Sequence, residues 1–188
     1  MLYEILKQQI FTPYHYISGQ QALNIYDWKH NTGDWHTIEA WYPQAEIPRF
    51  GLMGEGEQYN TNEYLGSMGV IDVTSILKQM GKPEFAPIVY AASHARAIAD
   101  MVICNALKGK IFSSVTLQDL DDWMPSNEDK ERVYSLLHIA LNRLPENAAK
   151  LVQQWLDAAK EKDFDERYTR GITQPYHESM YSWHSKNP

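Results

Sequence analysis

The spacing of apolar residues changes period twice along the chain, and each change marks a change of element. Leu2, Ile5, Leu6 and Ile10 fall on one face at helical spacing, and Thr12-Pro13 ends that run. Tyr14-His15-Tyr16-Ile17 reads as a short β-stretch. Ser18-Gly19-Gln20-Gln21 has the form of a capping box, with Ser18 as N-cap and Gln21 reaching back. It predicts a short helix over 19–27 that buries Ala22, Leu23 and Tyr26. From Trp35 the period becomes two: Trp35, Thr37, Glu39 and Trp41 alternate with His36, Ile38, Ala40 and Tyr42, which predicts a strand. The stretch 50–69 holds five glycines and reads as turns and short strands. Asp72 can cap a helix that ends before Gly81, and Ile88-Val89-Tyr90-Ala91 is a compact apolar strand.

Beyond Ser93 the pattern is helical. Ser93 is placed to cap a helix over 94–108 that is apolar around most of its circumference, which predicts a central position. Thr116 caps a helix ended by Pro125. Ser126-Asn127-Glu128-Asp129 opens another, whose stripe is Val133, Leu136, Leu137, Ala140, Leu141 and Leu144. Pro145 suits the first turn of a last helix burying Ala148, Leu151, Val152, Trp155 and Ala159. The two form an α-hairpin. The expected fold is α+β: a small, irregular β portion in the first half, packed by a mostly helical second half. Residues 1–162 form one domain, and 163–188 an aromatic-containing C-terminal tail or arm, either disordered or packed over the body or a neighbouring subunit.

Composition narrows the function classes. With a net charge of −7, residues 1–92 carry 5 basic and 10 acidic side chains and residues 93–188 carry 12 and 14. Neither half offers the cationic surface that sequence-independent nucleic-acid binding uses. No apolar run approaches the ~20 residues of a membrane span, and 1–10 does not read as a signal peptide. The single cysteine, Cys104, lies in an apolar run and reads as a small buried hydrophobe. These features predict a cytoplasmic protein.

The search for chemistry returns structural explanations. The seven histidines show no ligand spacing, so neither metal nor cofactor is expected. Gly51-Leu52-Met53-Gly54-Glu55-Gly56-Glu57 is a poor phosphate loop, since its glutamates repel phosphate and no Lys-Ser/Thr follows. Ser93-His94 adjacency is not a catalytic dyad, and Asp121-Asp122 reads as a solvated face. No catalytic residue is assigned and an enzyme is not expected. Arg96 and Asp100 stand out, spaced i, i+4 in an otherwise apolar helix in the less favourable order. They form either a buried salt bridge or a partner-facing pair. Trp35 and Trp41 share one strand face, which either packs into the core or stacks bases.

Two patches resemble the C-terminal region of the AbiEi family, antitoxins and transcriptional autoregulators of bacterial type IV toxin–antitoxin (abortive infection) systems. Tyr16-Ile17-Ser18-Gly19-Gln20-Gln21-Ala22-Leu23 is similar to the family's Y-I-S-x-x-x-A-L start of a helix. Val89 to Asp100, with Ser93, Arg96 and Asp100 in register, is similar to its v-a-S-P-x-R-A-l-x-D strand-to-helix junction, with His94 in place of the proline. The resemblance covers roughly residues 10–160. It implies a structural role for Ser93, Arg96 and Asp100, and a partner such as a nucleotidyltransferase-type toxin or a separate regulator. Members begin with a winged-helix DNA reader, for which there is no room before Tyr16, so DNA binding by this chain alone is not expected. The favoured reading is a non-catalytic antitoxin-like or regulatory protein with Ser18, Ser93, Arg96, Asp100, Trp35 and Trp41 as structural or partner-binding residues. The alternatives are a small-molecule-binding domain or enzyme with a Trp/Tyr/His-lined pocket, and a single-stranded nucleic-acid-binding module.

Overall fold

The computed structural model describes residues 2–34, 41, 51–111 and 115–172, the last ten as backbone only. The fold is α+β. A four-stranded mixed sheet is built from β1 (His15–Ile17), β2 (Leu52–Gly54), β3 (Val70–Asp72) and β4 (Tyr90–Ala92), in the order β2-β1-β4-β3. The central pair β1/β4 is parallel and both edges are antiparallel.

Side chains alternate across this sheet, as the pleat requires. Tyr16 of β1, Met53 of β2 and Ala92 of β4 face one core, and Ile17, Leu52 and Ala91 face another. The first core is helical. Its centre is α5 (His94–Leu107), buried from His94 through Ala106 and packed against α2 (Gly19–Leu23), α7 (Asn127–Leu141) and α8 (Glu146–Ile172). Helix α6 (Leu117–Trp123) adds Leu120 and Trp123. The second core is smaller. Leu6 of α1 (Leu2–Leu6) and Leu77 of α4 (Thr74–Gln79) close it with Phe11, Trp41, Phe85 and Val89. The remaining helix, α3 (Asn62–Leu65), buries Leu65 beside α7.

The caps read from sequence hold for α5, α6 and α7. Ser93 Oγ accepts from the Arg96 N–H, and Ser126 Oγ from the Asp129 N–H at 3.1 Å. Thr116 and Asp119 form a reciprocal capping box. The hairpin of α7 and α8 is present, and α5 is central as its all-round apolar surface demands.

Other expectations shift for identifiable reasons. Ser18 makes no side-chain cap on α2, and the buried Gln21 amide finds no hydrogen-bond partner among the described residues. Gly19, at φ 58°, turns the chain in the left-handed region, and Ser18 points into the core rather than across the first turn. The strand expected at 88–91 begins at Tyr90, because Val89 bonds the start of α4: its carbonyl accepts from Val73 N–H and its N–H donates to Thr74 Oγ1, both at 2.9 Å. Helix α8 runs on past residue 162 to Ile172. The strand expected over 35–42 lies outside the described residues except for Trp41, and so does the tail from 173 onward.

Candidate functional site

The i, i+4 pair in α5 lies at the junction of sheet and helices. Arg96 Nε donates to Asp100 Oδ1 at 2.7 Å, and both side chains have no exposure to solvent. A charge in this position must be met on all sides, and three other segments supply the groups. From β1 and the residue after it, Tyr16 OH and Ser18 Oγ donate to Asp100 Oδ2 at 3.1 and 2.7 Å. From the turn before α3, Thr61 Oγ1 donates to Asp100 Oδ1 at 2.6 Å. The guanidinium spends its remaining protons on the carbonyls of Gly66 and Met68 and on Tyr16, Thr61 and Asn62. Gly69 is required at the close approach of chain and helix: at φ +74°, a Cβ there would sit 2.8 Å from Arg96 Cβ.

The electrostatics agree with the geometry. Burial, then the neighbouring Asp100 carboxylate, pushes the Tyr16 phenol up, so Tyr16 stays protonated and donates. The network is closed: none of its side-chain polar atoms is left without a partner. Nothing in it is free to act as a base or nucleophile. Of the two readings open for Arg96 and Asp100, the geometry is that of the internal salt bridge.

The other sequence-selected residues fall in separate places. Ser93 caps α5 and donates its N–H to the Gly69 carbonyl at 2.7 Å. Trp41 is buried in the second core, stacked 6.5 Å from Phe85, with its indole N–H on the Gln21 carbonyl at 3.0 Å. It is therefore not a surface for stacking bases. Trp35 lies outside the described residues. Cys104 is buried, and burial pushes its thiol well up, which makes it inert as a nucleophile. Asp121 is half-buried and held by Lys130 at 2.5 Å and by Lys162, while Asp122 beside it is exposed. Burial alone would raise the Asp121 pKa, but the two lysines outweigh that and hold the carboxyl below its usual range.

A second feature is a pocket of about 610 Å³ between the loop after α2, the start of α5, α4 and α7; sequence reasoning held a Trp/Tyr/His-lined pocket open as an alternative but did not place it here. Its loop wall is pinned by His94. His94 Nε2 lies 2.7 Å from the Ile25 carbonyl, which can only accept, so the proton sits on Nε2 and Nδ1 accepts from the Thr32 hydroxyl at 2.8 Å. Burial pushes the His94 pKa down, which keeps the ring neutral. No motif announces such a pocket, because its lining comes from segments more than a hundred residues apart. Thr61 and Asn62 of the network were equally silent in their polar stretch at the start of α3.

Among the described residues there is no group of three or more metal-ligating side chains, and no helix long and apolar enough to cross a membrane. Set against known proteins, the chain matches no family model, no curated protein and no solved structure.

Proposed function

We propose that this chain is a non-catalytic, antitoxin-like regulatory protein of a bacterial toxin–antitoxin or abortive-infection system, acting in the cytoplasm. One observation carries the reading. The two patches that resemble the AbiEi C-terminal region lie some eighty residues apart, yet Tyr16 and Ser18 of the first bond directly to Arg96 and Asp100 of the second. Residues that share one buried network depend on one another, which gives a physical reason for such a pattern to occur as a set. The lone, buried cysteine suits a reducing compartment.

The experiment is genetic. A nucleotidyltransferase encoded beside this gene should arrest growth when expressed alone, and co-expression of this chain should restore it. A neighbourhood without such a gene, or arrest that persists with the folded chain present, counts against the reading.

A further inference from the structure

Several of the exposed large apolar side chains among the described residues gather at the pocket beside His94. Tyr26, Trp28, Ile71 and Ile139 are 49, 66, 45 and 39 % exposed, and all four line this one cavity. Large apolar side chains scattered singly need no explanation, but a cluster around a concavity marks a binding site. The floor is apolar too, formed by Ile25, Val73, Ile76, Met124 and Leu136. At about 610 Å³ it lies within the roughly 300–1,000 Å³ of small-molecule sites.

The polar groups favour one kind of ligand. Asp27 is already engaged: His30 Nδ1 lies 2.8 Å from its Oδ2, and the N–H groups of Lys29 and His30 bond its Oδ1. His94 is satisfied at both nitrogens. Arg132 is different. It pairs with Asp129 through Nη2, but its Nε is buried and has no acceptor. Lys29 adds a second cation at the wall. Lys29 and Arg132 are offset by Asp27 and Asp129, so what the pocket offers is the guanidinium of Arg132, a side chain 37 % exposed, with its unclaimed donor. A carboxylate is the group that matches a guanidinium, and the tilted Tyr26–Trp28 pair, with centroids 4.7 Å apart, offers ring surface to an aromatic body.

We propose that this pocket binds a small aromatic carboxylate, with its ring system against Ile71, Ile139 and the Tyr26–Trp28 pair and its carboxylate on Arg132. The proposal is independent of the antitoxin reading and can stand if that reading fails.

Isothermal titration of the full-length protein with 1-naphthylacetate, and with neutral 2-(1-naphthyl)ethanol, tests it. Saturable one-to-one binding of the carboxylate is expected. Ile139→Glu, at a partly exposed position, should abolish it while circular dichroism stays unchanged. Arg132→Met should weaken the carboxylate at least fivefold and leave the alcohol within twofold. Three results would overturn the proposal: no saturable binding by wild type, equal binding by Ile139→Glu, or equal loss of both ligands in Arg132→Met. Sedimentation provides a further check. If the wild-type protein is a dimer that Ile139→Glu dissociates, the patch is an interface between copies and the ligand proposal fails.

Discussion

Ser18 Oγ donates to Asp100 Oδ2 at 2.7 Å, joining residues 82 positions apart in a site neither exposes to water. A hydroxyl placed by the sequence to cap a helix instead serves a buried carboxylate. A hydrogen bond to a charged group contributes about 1.5–3 kcal/mol, more than the ~1 kcal/mol of a typical N-cap. Ser18→Ala should therefore cost about 2 kcal/mol in urea unfolding. In a cycle with Asp100→Asn, the two losses should fall short of additive by more than ~0.5 kcal/mol. Additive losses would place Ser18 outside the network.

Removing one member of the ion pair leaves the other charge buried. Asp100→Leu or Arg96→Met alone should each cost about 3–5 kcal/mol. The double variant should recover a large part of that loss, because no uncompensated charge remains. Equilibrium unfolding of the three variants measures the difference.

His94 gives the stability a pH dependence of definite sign. Its folded pKa lies below the unfolded value of about 6.5, so the unfolded chain takes up the proton first. Stability from this group is complete above pH ~6.5 and is lost as pH falls from there towards the folded pKa. Asp27 and His30 face the same ring, with opposite effects on it. Chemical denaturation between pH 5 and 8 should show the decline in wild type, and His94→Gln should reduce it. Asp121, also lowered, acts in a separate window, below the ordinary carboxylate value near 3.9.

Two glycines with positive φ should respond differently to alanine. At Gly33, φ +108°, a Cβ would lie 2.5 Å from the Leu23 carbonyl oxygen and 2.6 Å from His94 Cε1, so the loop that walls the pocket must shift. At Gly56, φ +83°, a Cβ meets nothing within 4 Å. Gly56→Ala should cost only the ~1–2 kcal/mol of the left-handed conformation. Gly33→Ala should cost more and lower the melting temperature further in calorimetry.

How much of this was legible depended on sequence distance. The caps at Ser93, Thr116 and Ser126 act within three residues, and the central position of α5 follows from its own apolar surface, so both were readable. The diversion of Ser18 was not, since its partner lies 82 residues away and the apparent Gln21 box was an adequate local explanation. Thr61 and Asn62 sit at the start of the short α3, in a stretch whose composition fits any loop. The resemblance patches did contain Tyr16, Ser18, Arg96 and Asp100 together, but only the folded chain gives the reason. A Trp/Tyr/His-lined pocket was among the alternatives, but its place was beyond reach, because Trp28 and Ile139 are apolar residues whose exposure no periodicity encodes.

The central claim is a regulatory function without catalysis, and growth is its most direct measure. Cells expressing a nucleotidyltransferase encoded beside this gene, which the proposed function requires, would be plated with wild-type chain, with the folded Gly56→Ala variant, and with the destabilised Asp100→Leu variant. The account predicts restored growth for the first two and little for the third. Failure of the folded wild-type chain to restore growth would contradict it.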